Sequence, residues 1–189
     1  MSSPVSVRCR ALATLVVTSL LTFAVASPLL AERRDYSWIA FRDGRLGFSF
    51  EYPSALFSAE AGDPTDALKD LTSRRSGQVF RSRDGKAYLQ AAAFENTQRL
   101  GAAAYKAQVA GSTYRGTRIT YERVGENFFV LSGIRGTDEY YERVTFTCGG
   151  RLINVWTMTY PIANRDLYDK IVEEIARTFR PAEGPQSCG

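Results

Sequence analysis

Histidine is absent from all 189 residues of this chain. Histidine is the commonest general base and metal ligand in proteins, so its absence excludes Ser–His and Cys–His catalytic arrangements and most zinc sites. Cysteine is also scarce, and three residues in the whole chain are too few for a closed zinc site. Neither a Gly-rich phosphate loop nor a G-x-S-x-G nucleophile elbow occurs. We therefore expect no catalytic residue, no metal and no cofactor.

Adjacent carboxylates are the remaining route to catalysis, because two of them can act as acid and base. Such pairs occur at Asp138-Glu139, in a predicted turn, and at Glu173-Glu174, on the solvent side of a predicted helix. Both positions favour solvated charges over a catalytic pair.

Net charge is close to zero once the N-terminal segment is set aside. The chain has 24 basic and 20 acidic residues, and two of the basic ones, Arg8 and Arg10, lie in a stretch without acids. So balanced a charge gives no electrostatic basis for binding nucleic acid. Arginine outnumbers lysine by 20 to 4, and its planar guanidinium suits paired hydrogen bonds to carboxylate or phosphate.

Residues 1–26 have the pattern of a secretory signal peptide. Arg8 and Arg10 lie in a positive start, residues 11–23 form an apolar run, and Ala24-Val25-Ala26 fits a small-x-small cleavage site. The apolar run is shorter than the roughly 20 residues that span a membrane. We therefore expect a periplasmic or secreted protein that has no membrane span after signal cleavage. An uncleaved N-terminal anchor is the alternative.

Two cysteines, Cys148 and Cys188, remain when Cys9 is lost with the leader. Disulfides form in the oxidising compartments to which such a leader directs a protein. A strand, a helix and a terminal tail follow Cys148, and together they can bring Cys188 back to it. We predict a Cys148–Cys188 disulfide that stabilises the fold by about 3–4 kcal/mol. Two separate thiols on a flexible tail are the alternative.

Alternating apolar and polar residues between turn signals predict strands along most of the mature chain. Asp84-Gly85 is a strong signal for a two-residue hairpin. The predicted strands are Trp38–Phe41, Leu46–Tyr52, Gly77–Ser82, Lys86–Glu95, Thr117–Val124, Phe128–Arg135, Glu139–Thr147 and Arg151–Tyr160. Because short turns join most neighbours, we expect an antiparallel sheet of about six to eight strands.

Two longer helices accompany these strands. Arg99–Val109 is rich in alanine and has Thr97 as its predicted N-cap, and Arg165–Phe179 carries an apolar stripe on one side. A helical turn is predicted at Ser54–Phe57 and a short helix at Thr65–Leu71. The order of elements predicts an α+β fold with the helices packed mainly on one face of the sheet.

A four-residue sequence occurs twice in the predicted strands. Tyr121–Val124 and Tyr141–Val144 both read Tyr-Glu-Arg-Val. One copy ends its predicted strand, the other lies in the middle of its own, and the spacing does not continue. We interpret the pair as two similar half-exposed strands that converged in sequence.

Gly44–Pro53 (GRLGFSFEYP) resembles the beginning of PsbP-like domains, the superfamily of the photosystem II extrinsic protein P and its exported bacterial relatives. Ile171–Phe179 (IVEEIARTF) resembles the terminal helix of the same domains. Phe129–Gly133 and Tyr141–Val144 are similar to segments of exported bacterial proteins of unknown role. The resemblance covers residues 36–180, which leaves a charged lead-in at 27–35 and a C-terminal tail at 181–189.

The resemblance implies an antiparallel sheet flanked by helices, in agreement with the order of elements. PsbP-like domains are generally non-catalytic binding or assembly modules, so the resemblance also implies that kind of role. Nothing in the sequence indicates a photosystem, so the resemblance identifies no partner.

One strand face is the candidate binding surface. Tyr141, Arg143, Thr145 and Thr147 share it, because alternate residues of a strand point the same way. Arg151 and Arg118 lie on nearby predicted strands. A face of tyrosine and arginine can hold an anion, a glycan or a protein partner, whereas an ordinary exposed sheet face is the alternative.

We therefore predict a non-enzymatic binding or assembly module of the cell envelope. Its partner is an unidentified protein or a small anionic or glycan ligand. A small envelope hydrolase that uses carboxylates, and an accessory subunit of an envelope complex, are the alternatives.

Overall fold

Seven antiparallel strands form the main sheet. The computed structural model describes residues 36–189, so the predicted signal peptide, residues 1–26, and the lead-in, residues 27–35, lie outside the described residues. The strands are β1 (Trp38–Arg42), β2 (Ser49–Pro53), β3 (Phe57–Glu60), β4 (Arg75–Ser82), β5 (Tyr88–Glu95), β6 (Arg118–Val124), β7 (Phe128–Arg135), β8 (Asp138–Thr147) and β9 (Leu152–Pro161). The helices are α1 (Ala102–Gly111), α2 (Arg165–Thr178) and α3 (Pro185–Cys188).

The strand order of the main sheet is β3-β4-β5-β9-β8-β7-β6, and β1 pairs with β2 in a separate two-stranded sheet. Strands β6 to β9 form a meander because short turns connect them, and β5 pairs with β9 to complete the sheet. The predicted α+β class and the antiparallel sheet of six to eight strands are therefore confirmed.

Helix α2 packs against one face of the main sheet. Its buried residues are Tyr168, Ile171, Val172 and Ile175. They join a core cluster that includes Trp156 and Met158 of β9 and Phe80 of β4. The two-stranded sheet lies against the same cluster, since Phe50 of β2 contacts Phe80 and Ser49 forms a bridge with Arg180.

Helix α1 lies on the opposite face. It packs on a second cluster formed by Phe129, Leu131, Tyr140, Val144, Phe146 and Ile153. Ala102 is the one residue of α1 that is fully buried, because alanine side chains offer little apolar area to the sheet. The main helical packing is therefore on the face of α2, as predicted, while α1 occupies the other face, which the sequence pattern did not anticipate.

The C-terminal tail folds back onto the end of the sheet. Cys148 and Cys188 form a disulfide across 40 residues of chain, in agreement with the sequence hypothesis. Thr147 donates its hydroxyl to the carbonyl of Ala182 over 2.7 Å. Ser187, within α3, is buried and donates to the carbonyl of Leu46 over 2.5 Å. The disulfide and these bonds hold the tail in place, which contradicts the alternative of two separate thiols on a flexible tail.

Three local predictions were wrong in part. The turn predicted at Ser54–Phe57 is present at residues 54–56, where the N–H of Leu56 donates to the carbonyl of Pro53 over 2.9 Å. Phe57 instead begins strand β3, which was not predicted from the sequence and which pairs with β4. Helix α1 starts at Ala102 with Gly101 as N-cap, not after Thr97, because the Asn96 side chain bonds both backbone groups of Leu100 and holds a loop there. A 3₁₀ turn spans Asp66–Leu68 in place of the longer helix.

None of the helices within residues 36–189 is long and apolar enough to cross a membrane. The longest of them, α2, has 14 residues and carries charged side chains along one side.

Candidate functional site

Tyr141 and Arg143 lie on the same face of the sheet as α2, but beyond the part that α2 covers. Strand β9 lies between them and the helix, and register places Tyr141 beside Met158 and Arg143 beside Trp156. Both side chains are half-buried. On the other side, β7 continues this face with Ser132 beside Tyr141.

The repeated Tyr-Glu-Arg-Val sequence becomes aligned across β7. Tyr121 of β6 and Tyr141 of β8 both pair with Ser132, from opposite sides. Arg123 and Arg143 pair in the same way with Val130. Each row therefore carries two identical side chains about 9–10 Å apart, since strands are spaced by about 4.8 Å.

The ring of Phe128 lies between the two arginines, at the end of β7 where the strand begins. The guanidinium carbons of Arg123 and Arg143 lie 5.6 Å and 5.3 Å from the ring centroid of Phe128, within cation–π distance. Val130 lies beneath these side chains and is 5% exposed. A Cβ atom at Gly125 would lie 2.3 Å from the Phe128 ring, so glycine at this turn leaves room for the ring. We call Tyr121, Arg123, Phe128, Tyr141 and Arg143 the arginine–aromatic face.

Tyr141 connects this face to the core. Its ring stacks on Trp156, with centroids 4.9 Å apart and an interplanar angle of 28°. Burial raises the pKa of Tyr141, and the nearby Arg143 guanidinium opposes that rise. The hydroxyl therefore stays protonated near neutral pH and can donate or accept a hydrogen bond.

The arginines of this surface lack acidic partners. Among residues 36–189, no carboxylate lies within ion-pair distance of Arg118, Arg123 or Arg143. Elsewhere in the same part of the chain, Arg81 pairs with Glu60 over 2.5 Å. The face consequently carries positive charge that nothing in the described fold neutralises, next to aromatic rings.

Two of the residues predicted for this site lie elsewhere or at its margin. Arg118 shares the face but sits opposite Ile134, beyond the row of Tyr121. Arg151 is not on a strand: it lies in the β8–β9 turn, where its guanidinium donates to the carbonyls of Cys148 and Cys188 over 3.0 Å and 2.8 Å. Arg151 therefore supports the tail.

Thr147 was also predicted to face outward on β8. It is 7% exposed, and its hydroxyl both donates to the carbonyl of Ala182 and accepts from the Nδ2 of Asn154. The outward face of β8 therefore ends before Thr147, because the C-terminal tail covers that end of the strand.

Sequence reasoning missed Tyr121, Arg123 and Phe128. The signal that could have found the first two is the repeated Tyr-Glu-Arg-Val, which was interpreted as convergence without a shared site. Strands β6 and β8 both pair with β7 and are joined to it by tight turns. When the two turns set the same register, the residues of the two copies lie opposite the same residues of β7. Phe128 had no such signal.

The opposite face carries a buried carboxylate. Glu142 is 6% exposed; its Oε2 accepts from the hydroxyls of Tyr114 over 2.8 Å and Thr157 over 3.4 Å. Its Oε1 is buried and has no hydrogen-bond partner among the described residues. Burial raises the pKa of Glu142 to about 7, although the bonds from Tyr114 and Thr157 oppose the shift. Tyr114 in turn stacks on Tyr140, with centroids 4.2 Å apart.

Glu142 resembles a catalytic acid only in its raised pKa, because its carboxylate is buried and a substrate could not reach it. Its sequence neighbour Glu139 lies on the other face and accepts from Arg165 over 2.7 Å, and Glu122, which shares its row across Leu131, pairs with Lys106. Glu139 is itself 8% exposed, so the expectation that Asp138-Glu139 is a solvated pair was wrong for Glu139. Within residues 36–189, no cluster of three or more acids and cysteines could hold a metal ion.

Two cavities lie away from the arginine–aromatic face. One, of about 100 Å³, is lined by residues that include Leu68, Phe94 and Tyr105. The other, of about 420 Å³, lies between the start of α1 and the β8–β9 turn near Cys148. The larger cavity is lined in part by Thr147, but neither cavity contains Tyr141, Arg143, Arg118 or Arg151.

Comparison with known proteins identifies the fold. No protein-family model matches the chain, and no curated protein sequence matches it. The solution structure of cyanobacterial PsbP (CyanoP) from Synechocystis sp. PCC 6803 is similar at a TM-score of 0.54 and 15% identity, covering 77% of this chain and 93% of its own. The crystal structure of the Ran-binding protein Mog1p from Saccharomyces cerevisiae is similar at a TM-score of 0.50 and 10% identity. The match covers 77% of this chain and 96% of Mog1p.

This chain therefore has a PsbP-like fold, as the resemblance in its sequence predicted. Identities of this size establish the fold alone, because one fold can carry many functions. Function has to be inferred from the surfaces of this chain.

Proposed function

We propose that this chain is a non-enzymatic binding or assembly module whose arginine–aromatic face binds an anionic partner. The observation that supports the proposal most directly is the placement of Arg123 and Arg143 on either side of Phe128, without a carboxylate within ion-pair distance. Guanidinium groups bind carboxylates and phosphates through paired hydrogen bonds. Tyrosine and phenylalanine rings beside them add apolar contact area.

The position of the face also favours binding. Tyr141 stacks on the fully buried Trp156, so its ring is held in place before any partner arrives. A preorganised side chain loses less conformational entropy on binding than a free one. The face is thus built on paired strands, with the guanidinium groups of Arg123 and Arg143 held over the ring of Phe128.

We further propose that the protein works outside the cytoplasm, in the periplasm or as a secreted protein. The pattern of residues 1–26 and the Cys148–Cys188 disulfide support this location. The mass of the intact protein from its native source tests it. Export with cleavage after Ala26 yields a chain that starts at Ser27, whereas a mass that includes Met1 to Ala26 contradicts cleavage.

Affinity capture from a native envelope fraction tests the binding function. The wild-type protein should retain one or more partners that the double variant Tyr141→Phe, Arg143→Gln retains much more weakly. Phenylalanine keeps the ring on Trp156, so the variant removes a hydroxyl and a charge from the face without opening the core.

A matched control exists on another strand pair. Arg81 lies over the ring of Tyr88 at 4.4 Å from its centroid, on β4 and β5. The variant Tyr88→Phe, Arg81→Gln makes the same chemical changes away from the proposed face and should leave capture unchanged. Equal capture by the wild type and the Tyr141–Arg143 variant would contradict the proposed function.

A further inference from the structure

Strand β6 is a free edge of the main sheet, because it pairs only with β7. All of its residues from Arg118 to Val124 are exposed. Three of them are apolar or aromatic: Ile119, Tyr121 and Val124 are 37%, 50% and 43% exposed. An exposed edge that carries apolar side chains is a template on which another strand can pair.

The backbone of β6 has hydrogen-bonding groups available for such pairing. Gly125 donates its N–H to the carbonyl of Phe128 over 2.8 Å, which makes these two residues a bonded pair at the turn. Bonded and non-bonded pairs alternate along an antiparallel ladder. The N–H and C=O groups of Val124 and Glu122 therefore point away from β7, toward the free edge.

Side chains of different character lie on the two sides of this edge. Register places Arg118, Tyr121 and Arg123 on the side of the arginine–aromatic face, and Ile119, Glu122 and Val124 on the side of α1, where Glu122 pairs with Lys106. A strand added here meets cations and an aromatic ring on one side. On the other side it meets two apolar side chains with the Glu122–Lys106 pair between them. Because side chains of a strand alternate between faces, the complementary sequence alternates acidic and apolar residues.

A second copy of this chain fits the edge poorly. Two β6 strands paired edge to edge would place the arginines of both copies on one face, and like charges on neighbouring strands repel. The register also shifts between Ile119 and Tyr121, so a bulge at Thr120 interrupts the ladder. Bulges and charges on edge strands act against self-pairing, whereas a short foreign segment can pair with Tyr121–Val124 alone.

We propose that β6 accepts an extended segment of a partner protein as an additional strand, and that acidic residues alternate with apolar ones in that segment. Where the segment pairs with Tyr121–Val124, an acidic side chain contacts Arg123 and an apolar one covers Val124. This inference rests on the proposed function, since the acidic side chains lie at the margin of the arginine–aromatic face. Strand addition to a sheet edge is a common mode of peptide recognition.

A labelled synthetic peptide of alternating glutamate and valine, matched to β6 in length, tests the proposal by fluorescence anisotropy. The control peptide has the same composition, with its glutamates grouped at one end. The alternating peptide should bind with a Kd at least about tenfold lower than the control, because only it can place every acid on one side.

Two substitutions at one position separate the backbone from the side chain. Glu122→Ala and Glu122→Pro both remove the ion pair with Lys106, whose Nζ lies 2.8 Å from the carboxylate. Only proline also removes the outward N–H, and proline is tolerated at such positions of edge strands. We expect Glu122→Ala to bind the alternating peptide nearly as the wild type does, and Glu122→Pro to bind at least about tenfold more weakly.

If circular dichroism shows that Glu122→Pro disturbs the fold, Val124→Pro with Val124→Ala provides the same comparison. Equal affinity for the two peptides, or equal affinity of the Pro and Ala variants, overturns strand addition. Binding of a heparin fragment in place of the alternating peptide also overturns it and indicates an anionic glycan. In either case the proposed function stands as long as the Tyr141–Arg143 variant loses capture from the envelope fraction.

Discussion

The ring of Tyr141 stacks on the indole of Trp156, with 4.9 Å between centroids. Trp156 is fully buried in the cluster beneath α2, whereas Tyr141 is half-buried at its edge. One residue of the proposed binding face thus also covers part of the core. Substitutions at Tyr141 change stability and binding together unless they keep the aromatic ring.

Tyr141→Ala should lower the free energy of unfolding by about 2 kcal/mol. The substitution uncovers one edge of Trp156 and removes an aromatic pair. The loss of stability is smaller than that from truncating a fully buried ring, because Tyr141 is only half-buried. Tyr141→Phe keeps the stacking and should cost less than about 1 kcal/mol. Urea denaturation of both variants measures the difference, and equal losses would show that the stacking contributes nothing to stability.

Glu142→Gln should stabilise the protein at neutral and alkaline pH. Burial raises the pKa of Glu142 from its ordinary value of 4.5 to about 7, so the folded state favours the protonated acid. The resulting stability is fully present below about pH 4.5 and is lost as the pH rises through about 7. Glutamine stays neutral throughout, and its oxygen can still accept from Tyr114. At pH 8 the variant should be more stable than the wild type by about 3 kcal/mol.

The difference between the two proteins isolates Glu142 from the other titrating groups. Urea denaturation at pH 5, 6, 7 and 8 should give a gap in the free energy of unfolding that widens as pH rises and levels off above about 7. A gap of constant size across this range would mean that Glu142 does not titrate there.

Strong periodicity made α2 predictable, whereas short or weakly patterned elements were missed. The stripe that includes Ile171, Val172 and Ile175 is buried as predicted. Strand β3 has four residues, of which Phe57 alone is fully buried, so it has no alternation to detect. The start of α1 was displaced because side-chain bonds from Asn96, which fix the preceding loop, leave no periodic pattern.

The binding face was predictable only in part because it depends on the register between strands. Alternation alone placed Tyr141 and Arg143 together on β8. Their alignment with Tyr121 and Arg123 across β7 requires the lengths of two turns and the position of a bulge. The Gly149-Gly150 pair predicted a turn that ends at Gly150, so Arg151 was assigned to the next strand. The turn includes one more residue, and β9 begins at Leu152.

Gly133→Ala should destabilise the protein by about 1–3 kcal/mol. A Cβ atom there would lie 2.4 Å from the carbonyl oxygen of Arg118 and 2.5 Å from the hydroxyl of Tyr140, so backbone and ring would both have to move. Gly44→Ala is the control, since a Cβ at Gly44 meets nothing within 4 Å. Thermal denaturation should show a lower Tm for Gly133→Ala and nearly no change for Gly44→Ala.

Removing the disulfide should lower the free energy of unfolding by about 4 kcal/mol in the loop-entropy model, because Cys148 and Cys188 are 40 residues apart in sequence. The double variant Cys148→Ser, Cys188→Ser measures this loss in urea, with the wild type under reducing conditions as a second measurement. Two hydrogen bonds donated by the tail remain in the double variant and in the reduced wild type. The N–H of Ala182 donates to the Oδ1 of Asn154 over 2.6 Å, and the hydroxyl of Ser187 donates to the carbonyl of Leu46. The reduced fold should therefore stay native, with faster hydrogen exchange confined to α3, whereas global unfolding on reduction would mean that these bonds cannot hold the tail without the disulfide.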